Sequence, residues 1–306
     1  MSDSVTLCGD HSQAETDAQL SKLARMISDA RAIGCEAALK KHDHNVEYLT
    51  DARRARYLEI VALRQDEDVL EIGASMGQHS RLIAKQCRRL DAVEVVAAQA
   101  EFANLWCEQS GARNVRVLAG GATGNLPFDD ASYDVVIMNY VLEWCAGRDS
   151  ADPRAFHARL LADVFRVLKP GGRFFVSTKN RFGLRLLLGS VDEHLGIRFG
   201  SALPRPVARY FASRKPRAIP FGYLHSRSGL EVLLREAGFS TIEAYISFPD
   251  ARRPEFIVPF DRAGAATLRA LGGDGFTLKD RLFKALPFGA QKHVATSHTM
   301  IARRSV

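Results

Sequence analysis

The chain has 306 residues, 46% hydrophobic and 25% charged, a composition typical of a globular protein in aqueous solution. Its apolar runs fall short of the roughly 18–20 residues that cross a bilayer, and its polar, acidic start lacks the features of a secretory signal. The five cysteines are scattered without CxxC spacing, which argues against a disulfide framework or a structural metal site. We therefore expect a cytoplasmic protein that binds no metal.

The net charge of +7 is unevenly distributed along the chain. Six basic residues and no acidic residue lie between Arg198 and Arg217. Such a segment suits a phosphate-bearing substrate or an anionic membrane surface, and it also suits a solvated face without a ligand. Nucleic acid is the least supported partner, because the chain shows no recognised binding module.

The N-terminal part is predicted to be a leader followed by helices. Residues 1–16 are expected to lack regular structure, and the apolar spacing of Asp17–Lys41 predicts a helix. A second helix is predicted over Tyr48–Leu63, capped by Thr50 or Asp51. We expect residues 1–45 to form an N-terminal leader and helix, and residues 46–306 to form one domain.

Strands and helices then alternate, which predicts a parallel sheet with helices on both faces. The predicted strands are Asp68–Gly73, Ala92–Val96, Val115–Ala119, Tyr133–Asn139 and Arg173–Thr178. The predicted helices between them are Gln78–Cys87, Gln99–Gln109 and Pro153–Leu168. Gly73, Glu94 and Asn139 follow or end strands, where ligands bind in such sheets.

Two segments interrupt this alternation and are interpreted as insertions. They cover about residues 181–227 and 248–293, and both are predicted to be irregular. A helix, Ser228–Ala237, and a strand, Thr241–Ser247, lie between them, and a last strand is predicted at Ser297–Arg303. Long segments without regular structure are often functional lids.

The segment VLEIGASMGQHSRLIA, residues 69–84, predicts a site for a nucleotide-like cofactor. Its small residues let the backbone approach a ligand, and the backbone amides near Gln78 and His79 offer donors to an anionic group. Glu94 stands where a carboxylate accepts hydrogen bonds from a ribose diol. The small residues are Gly73, Ala74, Ser75 and Gly77.

Several motifs in order resemble those of class I S-adenosylmethionine-dependent methyltransferases. They are EIGASMG, Glu94, LPFDDASYDVVIMNYVLEW (126–144), VLKPGGRFFVSTKN (167–180) and LLREAGF (233–239). The resemblance covers about residues 46–247 and the last strand. It implies a doubly wound, Rossmann-like α/β fold with a seven-stranded, mostly parallel sheet whose last strand is antiparallel and lies beside the sixth.

The resemblance also implies S-adenosyl-L-methionine as cofactor and assigns roles by position. Glu71 and the loop from Gly73 to Gly77 would lie under the methionine part, Glu94 would bind the ribose hydroxyls and Val95 would touch the adenine. Gly121 and Ala122 would line the adenine edge. Asn139 and Tyr140 would close the pocket near the methionine part and the substrate. Ser75 replaces the usual middle glycine, and Gly121 stands where an aspartate commonly accepts the adenine amino group.

A narrower resemblance concerns the two insertions. Residues 179–196 and 248–260 resemble insertions of bacterial methyltransferase domains found beside glycosyltransferases in surface-polysaccharide or glycoconjugate pathways. This implies that both insertions cover the substrate mouth and that the acceptor is a sugar or glycolipid intermediate. We expect O-methylation of a small molecule, while the sequence leaves nitrogen and carbon acceptors and the oligomeric state open.

A hydroxyl acceptor benefits from a general base, and histidine suits that role near neutral pH. His194 in the sequence DEHLG is the candidate catalytic base, with Asp192 or Glu193 orienting it. The competing interpretation is an exposed polar turn that caps a helix.

Two other functions fit parts of the sequence. The first is an NAD(P)-dependent Rossmann oxidoreductase, although its fingerprint requires three glycines and this turn has only Gly73 and Gly77. The second is a methyltransferase-like module without catalytic activity that serves a partner protein.

Overall fold

The computed structural model describes residues 13–121, 124–145, 152–214, 222–272 and 275–306. In these residues one eight-stranded sheet has the order β3-β2-β1-β4-β5-β8-β6-β7. Its strands are β1 (Asp68–Ile72), β2 (Arg89–Glu94), β3 (Val115–Ala119), β4 (Tyr133–Asn139), β5 (Leu168–Lys179), β6 (Thr241–Pro249), β7 (Pro254–Pro259) and β8 (Ser297–Arg303).

The helices cover both faces of the sheet and build the two insertions. The N-terminal half contains α1 (Gln13–Ile33), α2 (Cys35–Lys41), α3 (Val46–Thr50), α4 (Tyr57–Val61), α5 (Ser80–Ile83), α6 (Ala97–Gln109) and α7 (Leu142–Cys145). The remaining helices are α8 (Pro153–Val167), α9 (Leu184–Leu187), α10 (Arg205–Ser213), α11 (Arg227–Glu236), α12 (Arg262–Ala270), α13 (Leu278–Ala285) and α14 (Phe288–Val294).

The predicted doubly wound α/β fold is confirmed. The strands from β3 to β5 are parallel, and β8 lies antiparallel between β5 and β6. The sheet has one strand more than expected, because β7 pairs with the outer edge of β6. The prediction that residues 248–293 are irregular was therefore wrong, since this segment holds β7 and three helices. The first insertion likewise holds α9 and α10.

Alternating side chains of the central strands supply the two halves of the core. Val136 and Met138 of β4 pack in the cluster under α8 and α11, whereas Val135 and Ile137 pack in the cluster on the opposite face. All four are fully buried. Because each contributes about 1.5–3 kcal/mol by leaving water, this double burial holds the carboxyl end of β4 in place.

The predicted N-terminal helix is divided in two, and it begins at Gln13 instead of Asp17, so the expectation that residues 1–16 lack regular structure was wrong for residues 13–16. Gly34, with φ +90°, separates α1 from α2, because a left-handed glycine ends a helix. Both helices pack on α6 through a cluster that includes Met26, Leu39 and Trp106. The predicted helix Tyr48–Leu63 is divided by a short 3₁₀ turn, Ala52–Ala55, in which the Arg53 amide donates to the Asp51 carboxylate.

Strand β2 begins earlier than predicted, at Arg89 instead of Ala92. The reason is Asp91, which is buried but fully paired: it accepts hydrogen bonds from the Tyr133 hydroxyl (2.7 Å) and the Arg116 guanidinium (2.7 Å). A partnered carboxylate can be buried in a strand, and this pairing is invisible in the sequence pattern. None of the described helices is both long and apolar enough to cross a membrane.

Candidate functional site

The loop between β1 and α5 has the conformation that its small residues allow. Gly73 and Gly77 have φ of +82° and +83°, in the left-handed region that favours glycine. A Cβ on Gly73 would overlap the Val141 side chain, and one on Gly77 would lie 2.9 Å from the Ala103 Cα. Ser75 also adopts a positive φ, +50°, so the loop keeps the same turn without its middle glycine. Ala74 is buried in the core beneath the loop.

Glu94 is held in a fixed orientation beside this loop. Its carboxylate is buried and accepts hydrogen bonds from the backbone amides of Ser75 (2.8 Å) and Val96 (3.1 Å). A carboxylate has about four acceptor positions, so two remain for the hydroxyls of a ribose. The fixed carboxylate fits the role that the resemblance implies.

The residues expected around an adenine follow the ends of β2 and β3. Val95 is 40% exposed, although it is apolar and adjoins a buried strand. Gly120 donates its amide to the Glu94 carbonyl (2.9 Å), which places Gly121 next to β2. Ala122 lies outside the described residues.

A small cavity opens at the carboxyl ends of β1 and β4. Six of its lining residues are among those predicted: Glu71, Gly73, Gln78, His79, Asn139 and Tyr140. The other two, Arg54 and Arg252, had not been predicted.

Burial favours the neutral forms of two titratable side chains on the cavity floor, Glu71 and His79. The pKa of Glu71 is raised to about 7 by loss of solvent, although the Ser80 hydroxyl donates to it at 2.5 Å. Burial lowers the pKa of His79 to about 3, so its ring is neutral at pH 7. Its Nδ1 lies 3.0 Å from the hydroxyl oxygen of Tyr57, whose ring stacks on it.

Arg54 brings an unpaired cation to this cavity. Its Nε and Nη1 atoms are buried without a hydrogen-bond partner in the part of the chain that the structure describes, and the guanidinium stacks on the Tyr48 ring at 4.2 Å. Burial lowers its pKa. An unsatisfied buried guanidinium is costly and suits a carboxylate or phosphate, which binds it through two parallel hydrogen bonds. The sequence offered only the pair Arg53–Arg54 within a predicted helix, which is an ordinary pattern.

Arg252 reaches the cavity on the turn between β6 and β7. Asp250 shapes this turn by accepting from the amides of Arg252 and Arg253, both at 2.8 Å. The Tyr140 hydroxyl fastens the turn to the end of β4 by donating to the Ala251 carbonyl at 2.6 Å. The second insertion therefore forms one wall of the cavity mouth.

The three candidate catalytic residues lie together but have different partners. Asp192 and His194 are buried, and His194 Nδ1 lies 3.2 Å from Asp192 Oδ1. His194 Nε2 is buried without a hydrogen-bond partner among the described residues. Glu193 pairs instead with Lys179 and with Arg252, the latter at 2.8 Å. The interpretation as an exposed turn was wrong for Asp192 and His194.

His194 packs against the segment that follows β4. Its ring lies 4.3 Å from the Trp144 ring, and a Cβ on Gly222 would overlap it. Glu143 lies in the same cluster, buried, and accepts a hydrogen bond from the Thr178 hydroxyl at 2.6 Å. Burial raises the pKa of Glu143. The first insertion is thus anchored at the end of β4, next to the cavity-lining Tyr140.

A second group of histidines is buried under α8 and α11 and does not line the cavity. His157 Nδ1 lies 2.8 Å from His225 Nε2, and His298 Nε2 lies 3.1 Å from the His225 carbonyl oxygen, to which it donates. Burial lowers the pKa of all three residues, to about 4 for His157 and His298. These rings are neutral in the folded protein at pH 7.

We expect this group to make the fold sensitive to acid. The unfolded chain takes up protons below about pH 6.5, whereas the folded His157 and His298 do so only near pH 4. The free energy of unfolding should therefore fall as the pH drops from 6.5 to 4, by up to about 1.4 kcal/mol per pH unit for each histidine. Glu71 opposes this trend, because its pKa is raised to about 7 on folding. Urea unfolding measured at several pH values in this range gives the free energy of unfolding as a function of pH. Its slope should be shallower for His298→Gln than for the wild type, and an unchanged slope would contradict the expectation.

Comparisons with known proteins agree with this geometry. A model of the methyltransferase domain matches residues 70–176. A protein-L-isoaspartate O-methyltransferase of Myxococcus xanthus is 31% identical over 162 residues, which cover 49% of this chain and 69% of that protein. A demethylmenaquinone methyltransferase of Tropheryma whipplei is 28% identical over 132 residues, 43% of this chain. The chain spans about half the length of this relative, 50%.

The fold has a counterpart among solved structures. A SAM-dependent methyltransferase from Methanosarcina mazei superposes with a TM-score of 0.52 at 15% identity, over 81% of this chain and 97% of that one. Residues 70–176, which the model of the methyltransferase domain matches, contain the glycine loop, Glu94 and the end of β4. The chain belongs to the class I S-adenosylmethionine-dependent methyltransferases.

Proposed function

We propose that the protein is an active enzyme that methylates a hydroxyl group of a small molecule, a sugar, glycolipid or secondary-metabolite intermediate. The observation that carries the proposal is the ordered donor site, in which two backbone amides fix Glu94 beside the glycine loop. The names of the relatives indicate acceptors as different as demethylmenaquinone and protein L-isoaspartate. The acceptor is therefore proposed from the two insertions and not from the relatives.

Three groups of S-adenosylmethionine have candidate partners among the described residues: the ribose, the adenine and the carboxylate. Glu94 would accept from the ribose hydroxyls, and exposed Val95 would cover one face of the adenine. Arg54, with buried Nε and Nη1 atoms that lack partners, would bind the carboxylate. When bound, this cofactor supplies an electrophilic methyl group on a sulfonium centre.

His194 is proposed as the base for the acceptor. Asp192 would hold the Nδ1 proton, which leaves Nε2 as the atom that takes the proton of the acceptor hydroxyl. Because His194 is buried and does not line the cavity, this role requires the first insertion to open when the acceptor binds. Glu193 would act by holding Arg252 at the mouth of the cavity. In this arrangement both insertions contribute to the acceptor site, which agrees with the narrower resemblance.

Ligand-induced stabilisation tests the donor site directly. We expect S-adenosylhomocysteine at 100 times its dissociation constant to add about 2.7 kcal/mol to the free energy of unfolding, and so to raise Tm by several degrees. NAD should leave Tm unchanged. The measurement is thermal unfolding at fixed protein concentration.

The result separates the three functions. Stabilisation by NAD alone would overturn the proposal in favour of an oxidoreductase. Absence of a shift with either ligand would support the module without catalytic activity. Stabilisation by S-adenosylhomocysteine followed by transfer of label from S-adenosylmethionine to a hydroxylated acceptor would establish the enzyme.

A further inference from the structure

Large apolar side chains are exposed in unusual number on the first insertion. Six of them fall within residues 188–211, and we call this surface the cap face. Its members are Leu188, Val191, Phe199, Val207, Tyr210 and Phe211, each 40–52% exposed. Soluble proteins rarely expose such concentrations of apolar surface unless it contacts something.

Helix α10 supplies half of the cap face and is attached on its other side. Ala208 is buried, and Arg205 stacks over the Tyr223 ring at 3.4 Å and donates to the Leu224 carbonyl. Tyr210 and Phe211, in contrast, are each 51% exposed. The helix thus lies flat on the protein with aromatic side chains directed away from the core.

The second insertion extends this surface. Lys279 donates to the Ser190 hydroxyl at 3.0 Å, and Arg185 pairs with Asp280 at 2.9 Å, so α13 lies beside α9. Leu278 and Leu282, one turn apart on α13, are 74% and 46% exposed. The two insertions therefore meet at α9 and α13, and both carry exposed apolar side chains.

The charged residues around this area are mainly basic, and the two acidic residues of the same segment are either buried (Asp192) or paired with Lys179 and Arg252 (Glu193). No aspartate or glutamate occurs from residue 195 to residue 230. Arg198 and Arg214 are exposed beside the cap face, and Arg281 is exposed on α13. Asp280 is buried and neutralised by Arg185. An apolar face with aromatic residues and a cationic rim has the chemistry of segments that lie in the headgroup region of a membrane.

We propose that the cap face docks the protein on an anionic membrane surface. Apolar and aromatic side chains would enter the boundary of headgroups and acyl chains, while the arginines would pair with anionic lipid phosphates. A second copy of the chain is a poorer occupant, because a two-fold contact would bring the two cationic rims together. This inference goes beyond the proposed function, and its test requires no methyl transfer.

Vesicle co-sedimentation tests the docking. We expect the protein to bind vesicles of phosphatidylcholine with 30% phosphatidylglycerol and to bind pure phosphatidylcholine at least ten-fold more weakly. Phe211→Asp should reduce binding to the anionic vesicles at least ten-fold, because a buried phenylalanine contributes about 1.5–3 kcal/mol. Val232→Asp is the matched control, since Val232 is similarly exposed (44%) on α11, outside the cap face, and should bind like the wild type.

Charge and fold are tested separately. Replacing both Arg198 and Arg214 with glutamine should weaken binding about 25-fold, since each basic residue near an anionic surface contributes about a five-fold factor. Each variant must keep its stabilisation by S-adenosylhomocysteine, and Val207→Ser replaces Phe211→Asp if the latter does not fold. Equal binding to both vesicle types, or wild-type binding by these variants, would overturn the proposal. A cap variant that dissociates a dimer while vesicle binding persists would also overturn it.

Discussion

Replacing Glu94 with alanine is expected to weaken donor binding about 100-fold or more. The carboxylate would lose two hydrogen bonds to the ribose, each worth about 1.5–3 kcal/mol because the acceptor is charged. The loop would also lose the bond from the Ser75 amide that holds it in place. Isothermal titration with S-adenosylhomocysteine measures the change in Kd.

The control uses a carboxylate outside the site. Glu101 on α6 is exposed and pairs with Arg31 at 2.6 Å on the surface, so Glu101→Ala should leave Kd unchanged. Glu94→Gln keeps the size of the side chain, but its NH₂ group would face a backbone amide that needs an acceptor. It should weaken binding more than Glu101→Ala and less than Glu94→Ala. Wild-type affinity in Glu94→Ala, with an intact circular dichroism spectrum, would refute the donor site.

Replacing His194 with asparagine should lower kcat by about 10²–10⁴, the usual contribution of a general base. The donor affinity should stay within about two-fold of the wild type, because His194 does not line the cavity and acts on the acceptor. Asp192→Asn should cause a smaller loss of kcat, since it removes the group that orients Nδ1. Steady-state kinetics as a function of pH should show that kcat of His194→Asn no longer varies with the protonation of the base, as it does in the wild type.

A second histidine–aspartate pair provides the control for His194. His42 Nε2 lies 2.8 Å from Asp29 Oδ2, between α2 and α1, far along the chain from the cavity-lining residues. His42→Asn should therefore keep the wild-type kcat. If His194→Asn kept full activity, the residue would not be the base; equal losses of kcat and of donor affinity would indicate a purely structural role.

In the proposed site, the two insertions complete what the sheet begins. The glycine loop, Glu94 and Asn139 come from elements common to many α/β folds, whereas Arg252 and the His194 cluster come from the insertions. Glu193 joins them, since it belongs to the first insertion and pairs with Arg252 of the second. Differences in acceptor among relatives of this fold are expected to lie in such segments, because loops vary while the scaffold persists.

Local patterns in the sequence predicted most of the sheet and six of the eight residues that line the cavity. The bounds of β3, β4 and β8 agree with the prediction, because alternating or continuous apolar residues specify a strand without reference to distant contacts. The turn at Gly73 was also predictable, since its left-handed backbone requires a residue type that the sequence displays directly. The predicted start of β2 was three residues too late. Asp91 can be buried in this strand because the Tyr133 hydroxyl and the Arg116 guanidinium donate hydrogen bonds to its carboxylate.

The sequence by itself determined the order of strands and helices, the glycine loop and the carboxylate at the tip of β2, because each depends on residues within about 20 positions of one another. Only the tertiary structure decided that Arg54 and Arg252 share a cavity, that Asp192 and His194 are buried, and that β7 extends the sheet. The bond from the Tyr140 hydroxyl to the Ala251 carbonyl spans 111 positions, and the contact of Arg56 with the Glu255 carbonyl spans 199. Contacts over such separations arise when packed segments exclude water together, and no local pattern records them.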